Sequence, residues 1–231
     1  RQKPLRSPPP PPAGVSAPEH LETPSEDDSE DLEAFGDGPA YWNDRYRRMP
    51  EPLDWLDDYA NLRGLIDEAA RGDRAARILH VGCGTSLLPE QLYDDGYEQI
   101  VNVDSSDVVI EQMAARNRAR SSMSWLLADA TRMDFEDDKF DVVIDKSLLD
   151  TIVCMNDSEH VVAEYIREVA RVLRPGGTFL CISFGSPDER VPVFNSSGQR
   201  WQVRALPIRS YASDGDDLVI VAYAAELPED R

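Results

Sequence analysis

Apolar positions along this chain follow two alternating rhythms. Short apolar runs rich in Val, Ile and Leu occur at Arg77–Val81, Gln99–Val103, Met123–Leu127, Phe140–Ile144 and Thr178–Phe184. Runs of that length with little polar alternation predict strands buried on both faces. Between them the spacing changes to three and four. Asp57–Ala70 places Leu62, Leu65, Ile66 and Ala69 on one helical face, and Gly72 ends it. A helix is predicted over Leu87–Asp95, stopped by Gly96. Another is capped by Ser105 or Ser106 and runs to about Arg118, with Val108, Val109, Met113 and Ala114 apolar. Ser158–Leu173 is amphipathic through Val161, Val162, Tyr165, Ile166, Val169 and Val172, and Pro175-Gly176-Gly177 breaks it. A short helix over Pro187–Phe194 and two strands, Trp201–Ile208 and Leu218–Ala225, complete the pattern. The turn signal Ser213-Asp214-Gly215-Asp216 joins those two strands as an antiparallel hairpin at the sheet edge. The alternation predicts an α/β domain, a parallel sheet with helices on both faces.

Ahead of the first strand, Trp42 and Tyr46 are four apart and share a helix face. Core packing is the plain reading of Trp42 and Trp55. The alternative is a lid over a ligand. Residues 1–38 differ from everything after them. Pro8–Pro12 is followed by an acidic run from Glu19 to Asp37 with little apolar to bury, so a disordered tail is expected, and the folded domain is expected over 39–231. Pro8–Pro12 can dock an SH3 or WW domain as a polyproline helix, against the plainer reading of a solvated extension.

The formal net charge is −20; residues 1–38 carry three basic and nine acidic residues, so 39–231 carries −14. An acidic body disfavours a nucleic-acid partner and suits a basic protein or a small molecule. The three cysteines, Cys83, Cys154 and Cys181, form no CxxC, which reads as a reducing compartment and a cytoplasmic location. Arg1–Pro18 contains no acid, so a mitochondrial transit remnant is the alternative, opposed by its proline run. A chain opening on Arg1 reads as a fragment or processed product. No Cys/His spacing suits a metal, and no apolar run reaches transmembrane length.

The chemistry gathers at strand ends. Gly82 and Gly84 follow the first strand directly and precede a helix, so a ligand can approach the backbone there. Asp104 follows Gly82 by 22 residues, where an acid accepts bonds from ribose hydroxyls. Asp129, ending the third strand, is placed for an adenine amine. The third glycine of a dinucleotide fingerprint is Leu87 here, which argues against an NAD-dependent oxidoreductase. Cys83 and His80 read as buried structural residues.

The segments His80-Val81-Gly82-Cys83-Gly84-Thr85-Ser86, Val103-Asp104-Ser105-Ser106, Asp129-Ala130, Phe140–Lys146 and Leu173-Arg174-Pro175-Gly176-Gly177 resemble the successive motifs of class I S-adenosylmethionine-dependent methyltransferases. Tyr41-Trp42-x-x-Arg45-Tyr46, Asp54-Trp55, Asp145–Asp150 and Ser186-Pro187-x-x-Arg190 are similar to the methyltransferase-like lysine methyltransferases. That group includes enzymes acting on the elongation factor that delivers aminoacyl-tRNA and on mitochondrial citrate synthase. The resemblance covers about residues 40–226. It implies a Rossmann-like, seven-stranded, mostly parallel sheet with its last strand reversed. It also implies that Trp42, Arg45, Tyr46 and Trp55 cover the cofactor, with Arg45 charging its carboxylate site. Gly82, with Cys83 and Gly84 in the same turn, would pass beneath the methionine part. Asp104 and Ser105 would hold the ribose, Asp129 and Ala130 would frame the adenine, and Lys146 would line the cofactor and acceptor pocket. This chain departs from the family at Thr85, commonly Asn; at Ser105, often aromatic; and at Ser147-Leu148, frequently Gly-Thr.

Methyl transfer from a sulfonium is an in-line displacement that needs neither a nucleophilic side chain nor a metal. A lysine acceptor must first lose a proton, against a reference pKa of about 10.4. Asp145 or Asp150 at the pocket mouth would orient the amine, and Lys146 would contact cofactor or substrate, or else simply pair with one of those acids. The expected activity is protein-lysine N-methylation. A small-molecule methyltransferase and a non-catalytic binding module on the same scaffold are the alternatives.

Overall fold

The computed structural model describes residues 38–155, 158–196, 198–213 and 216–229. The Pro8–Pro12 run, the acidic stretch and Asp214-Gly215 of the expected turn lie outside the described residues. In chain order the elements are α1 Gly38–Arg48, α2 Tyr59–Ala69, β1 Ile78–Val81, α3 Leu88–Asp94, β2 Ile100–Asp104, α4 Asp107–Arg116 and β3 Ser124–Leu127. Then follow β4 Phe140–Lys146, α5 Leu148–Val153, α6 Ser158–Val172, β5 Leu173–Ser183, α7 Pro187–Asn195, β6 Gln202–Ser213 and β7 Asp216–Glu226. Among the described residues no helix is long and apolar enough to cross a membrane.

The seven strands form one sheet in the order β3-β2-β1-β4-β5-β7-β6. β1 to β5 are parallel, and β7 runs antiparallel between β5 and β6. The chain starts at β1 in the middle, moves outward to β3, then returns past β1 to β4. The strand order therefore reverses between β1 and β4, and a crevice opens above their carboxyl ends.

Both faces of the sheet are covered over its central strands, which explains their unbroken apolar runs; the edge strand β3 departs from expectation, with Leu126 and Leu127 exposed. Alternate residues still face opposite ways. Val142, Ile144, Leu180 and Ile182 pack with Leu62, Ile66, Leu88 and Leu92 of α2 and α3. Val143, Phe179 and Cys181 pack with Tyr165, Ile166 and Val169 of α6 and Phe194 of α7. A smaller cluster joins Tyr46 of α1 to Val109 and Met113 of α4.

β6 runs five residues past the expected Ile208 and β7 starts two residues before the expected Leu218. Two further elements differ from expectation. β5 begins at Leu173, straight after α6, rather than at Thr178: Leu173 pairs with Phe140, pairing resumes at Val142 with Thr178, and 174–177 bulge out. Pro175 has no N–H for the ladder, and Arg174 reaches Asp141 through its Nε at 2.5 Å, so the segment is held without regular pairing. The helix α5 was not expected. It has only six residues, fewer than two helical turns, so it is too short to show a period. Its start is built by Asp145, whose carboxylate accepts the N–H groups of Leu148 and Leu149 at 2.8 and 3.0 Å.

Candidate active site

A cavity of about 370 Å³ lies over the carboxyl ends of β1 to β4. Its floor is the turn after β1. Gly82 and Gly84 have φ of +60° and +50°. A Cβ on Gly82 would lie 2.9 Å from Leu148, and one on Gly84 would lie 3.0 Å from the Tyr46 hydroxyl. Glycine is therefore required twice over, by backbone conformation and by space. Cys83 lines the cavity in the same turn, and burial pushes its thiol up, which disarms it as a nucleophile.

Asp104 ends β2 on one side of the cavity and is 7% exposed. It accepts the N–H of Gly84 at 2.9 Å and that of Ser106 at 3.0 Å. Burial raises its pKa, and those backbone bonds oppose the rise. Ser106 caps α4 through the N–H of Val109 and donates its hydroxyl to Asn43 at 2.6 Å, which ties α1 to the end of β2. Ser105, Asp129 and Ala130 also line the cavity. Asp129 accepts two bonds from Thr131, both on Oδ1, at 2.8 and 2.7 Å.

The roof comes from α1 and the loop after it. Trp42, Tyr46, Leu53 and Trp55 line it. Trp42 and Tyr46 stack with ring centroids 5.8 Å apart, as their four-residue spacing predicts. Arg45, expected at the cofactor's carboxylate, is not a lining residue. Its guanidinium sits 5.3 Å from the Trp55 ring centroid and joins α1 to that loop.

Lys146 lines the cavity with its side chain 2% exposed. Neither Asp145 nor Asp150 is its partner. Its ammonium donates to Asp54 at 2.7 Å and to the Trp55 carbonyl at 3.2 Å. Asp54 also accepts the Ser86 hydroxyl and the Leu87 N–H. Burial alone would raise the Asp54 carboxyl, but the Lys146 charge and these bonds hold it below its ordinary value. Asp54 thus joins the roof loop to the turn after β1 and to the end of β4. Reading the sequence missed this residue as a site component, because its partner lies 92 positions away.

The two acids expected at the mouth are placed elsewhere. Asp145 is 0% exposed and does not line the cavity. Besides the two N–H groups of α5 it accepts the Tyr165 hydroxyl at 2.7 Å, and burial pushes it up to about 7. Asp150 touches the cavity wall, but its oxygens are committed to the Ser183 hydroxyl, the Phe184 N–H and the Arg190 guanidinium, the last at 2.8 Å. Ser147 adopts φ of +78°. The family pattern often carries glycine at this point, and the serine bears a modest strain for the same turn.

His80 lines the floor, 1% exposed, with burial lowering its pKa to about 3. Packing does not satisfy it fully: among the described residues its Nδ1 and the Oδ1 of neighbouring Asn102 have no hydrogen-bond partner.

Two glycines that leave the floor open, a buried carboxylate at the edge of a cavity of this size, and an aromatic roof fit an adenosine-bearing ligand. The fold and this site together define a Rossmann-like methyltransferase. Residues 79–181 match the family model described as a methyltransferase domain. The eEF1A lysine and N-terminal methyltransferase of Bos taurus is 37% identical over 193 residues, covering 81% of this chain and 27% of that protein. EEF1A lysine methyltransferase 4 of Mus musculus is 32% identical over 175 residues, covering 71% of this chain and 68% of that protein. The chain belongs to the S-adenosylmethionine-dependent methyltransferase family. It spans about a quarter of the length of the first of those relatives. In fold it is similar to the 1,6-didemethyltoxoflavin-N1-methyltransferase of Burkholderia thailandensis, solved with S-adenosylhomocysteine. That likeness has a TM-score of 0.60 at 15% identity and covers 90% of this chain and 93% of that one.

Proposed function

We propose that this chain is a protein-lysine N-methyltransferase that uses S-adenosylmethionine. One observation carries the reading: a glycine-floored cavity edged by Asp104, in a chain that shares 32–38% identity with relatives named as lysine methyltransferases. When bound, the cofactor supplies an electrophilic methyl group on a sulfonium. Gly82 and Gly84 form the floor under its methionine end. Asp104 and Ser105 hold the ribose, Asp129 and Ala130 frame the adenine, and Trp42, Tyr46 and Trp55 exclude water from above. Lys146 acts by position. Its bond to Asp54 closes the roof loop onto the end of β4, where the acceptor enters.

Catalysis is chiefly alignment, worth roughly 7–11 kcal/mol when two reactants are held in near-attack geometry. Asp54, Asp145 and Asp150 each have other partners, so none is free to take the proton of the acceptor amine. The proton leaves to water, after a partly desolvated channel lowers the amine's pKa. The test uses purified chain, methyl-labelled S-adenosylmethionine and purified eEF1A, with mass spectrometry of the product. Label on a lysine is the expected result. Tight cofactor binding with label only in small molecules would sink the protein-substrate reading.

A further inference from the structure

A second cavity of about 640 Å³ opens beside the first, and Asp129, Thr131 and Glu164 line both. Its walls include three arginines, Arg132, Arg167 and Arg171. Arg171 is committed: it donates to Glu168, to Asp137 and to the backbone carbonyls of Met133 and Phe135. Arg132 and Arg167 are exposed, and among the described residues no ion pair or hydrogen bond engages either guanidinium. Asp129, Glu164 and Glu168 share these walls, yet among the described residues none of them is bonded to the Arg132 or Arg167 guanidinium, so both keep their donors for a ligand. A guanidinium is built to take a carboxylate through two parallel N–H bonds.

We propose that Arg132 and Arg167 form a docking subsite for an acidic side chain of the polypeptide acceptor, a few residues from the lysine that is methylated. The proposal rests on the protein-lysine reading above. The spacing follows from position. The second cavity joins the first at Asp129, Thr131 and Glu164, so a carboxylate held by the arginines would lie beside the first cavity rather than in it. An extended chain covers about 3.3–3.6 Å per residue. A nucleic acid fits less well. Glu164 and Glu168 stand in the same walls, and a continuous row of phosphates would meet them, whereas a single carboxylate between neutral or basic neighbours would not. The acidic subsite also adds discrimination where the acidic body supplies only general attraction for basic surfaces.

The test is steady-state methylation of purified eEF1A, and of a lysine-centred peptide library carrying one acidic residue at each flanking position. Wild-type chain is compared with Arg132→Glu, Arg167→Glu and the double variant. The double variant should raise KM for the protein roughly tenfold or more, leave kcat within about twofold, and lose the preference for an acidic flank. Calorimetry should show the same S-adenosylmethionine affinity in all four proteins, and thermal melting should show them equally folded. Methylation with unchanged KM and unchanged flank preference would overturn this proposal alone. So would an RNA oligonucleotide whose binding needs both arginines while peptide kinetics stay the same. Absence of any protein methylation by the wild type would overturn the lysine reading, and this subsite with it.

Discussion

Asp104 ends β2 and Asp145 is the last residue but one of β4, the two strands that flank β1, and in the sequence they look alike. Each follows an apolar run, each precedes a helix, and each accepts two backbone N–H groups. Their surroundings differ. Asp104 draws its donors from two segments, the glycine turn and the entry to α4, and it keeps a face on the cavity. Asp145 caps α5 directly and takes a third bond from Tyr165 of α6, which closes it off. The comparison shows that an acid at a strand end is an available group only where the next element swings clear of it. After β2 the chain bends away through Ser105. After β4 it folds straight back through the left-handed Ser147.

The sharpest way to test this contrast is to remove both acids in turn. Asp145→Ala leaves the N–H groups of Leu148 and Leu149 and the Tyr165 hydroxyl without an acceptor, at about 1–3 kcal/mol per buried group. Urea unfolding should show a loss of about 3–5 kcal/mol, and a loss under about 1 kcal/mol would mean that the network is replaceable. Asp104→Asn should act on binding instead. Losing charge-assisted bonds to a ribose costs about 3 kcal/mol, so calorimetry should show S-adenosylmethionine affinity falling on the order of 100-fold. The ligand-free chain should lose only about 1–3 kcal/mol, less than Asp145→Ala, because the amide oxygen still accepts one of the two N–H groups of Gly84 and Ser106.

His80 offers a smaller, pH-dependent effect. Its folded pKa is about 3 against an ordinary 6.5, so the folded chain excludes a proton that the unfolded chain binds. That contribution to stability is full above about 6.5 and is lost as pH falls toward 3. His80→Val should remove the loss, so the gap in unfolding free energy between pH 7.5 and pH 5 should shrink by about 2 kcal/mol relative to wild type. An unchanged gap would show that the imidazole is protonated in the folded state. The smallest effect is expected at Ser105. Ser105→Ala removes the hydroxyl proposed to help hold the ribose, and calorimetry should show S-adenosylmethionine affinity falling severalfold, by about 1 kcal/mol. Unchanged binding would mean that Asp104 holds the ribose without it.

Much of the site was legible because its signals are local. A glycine with positive φ, an acid that ends an apolar run, and two aromatics four apart on a helix are each determined within a few residues. Reading failed where a side chain had to choose among distant partners. Lys146, expected to contact cofactor or substrate with Asp145 or Asp150 as the alternative partner, lines the cavity but pairs with Asp54; Arg45, expected at the cofactor's carboxylate, lies over Trp55. The helix α5 escaped because six residues are too few to show a helical period.

The amino-acid sequence by itself therefore determined the alternation of strands and helices, the open floor at Gly82 and Gly84, and the row of acids at the strand ends. These follow from burial periodicity and backbone sterics, which act over short distances. Only the tertiary structure decided which acids face the cavity, which cation closes the roof, and where two arginines stay without an ion pair among the described residues. Those outcomes depend on which elements cross above a strand end and so on which groups are desolvated together. No spacing in the chain encodes that, because the competing partners are brought within reach only by the packing of the whole sheet.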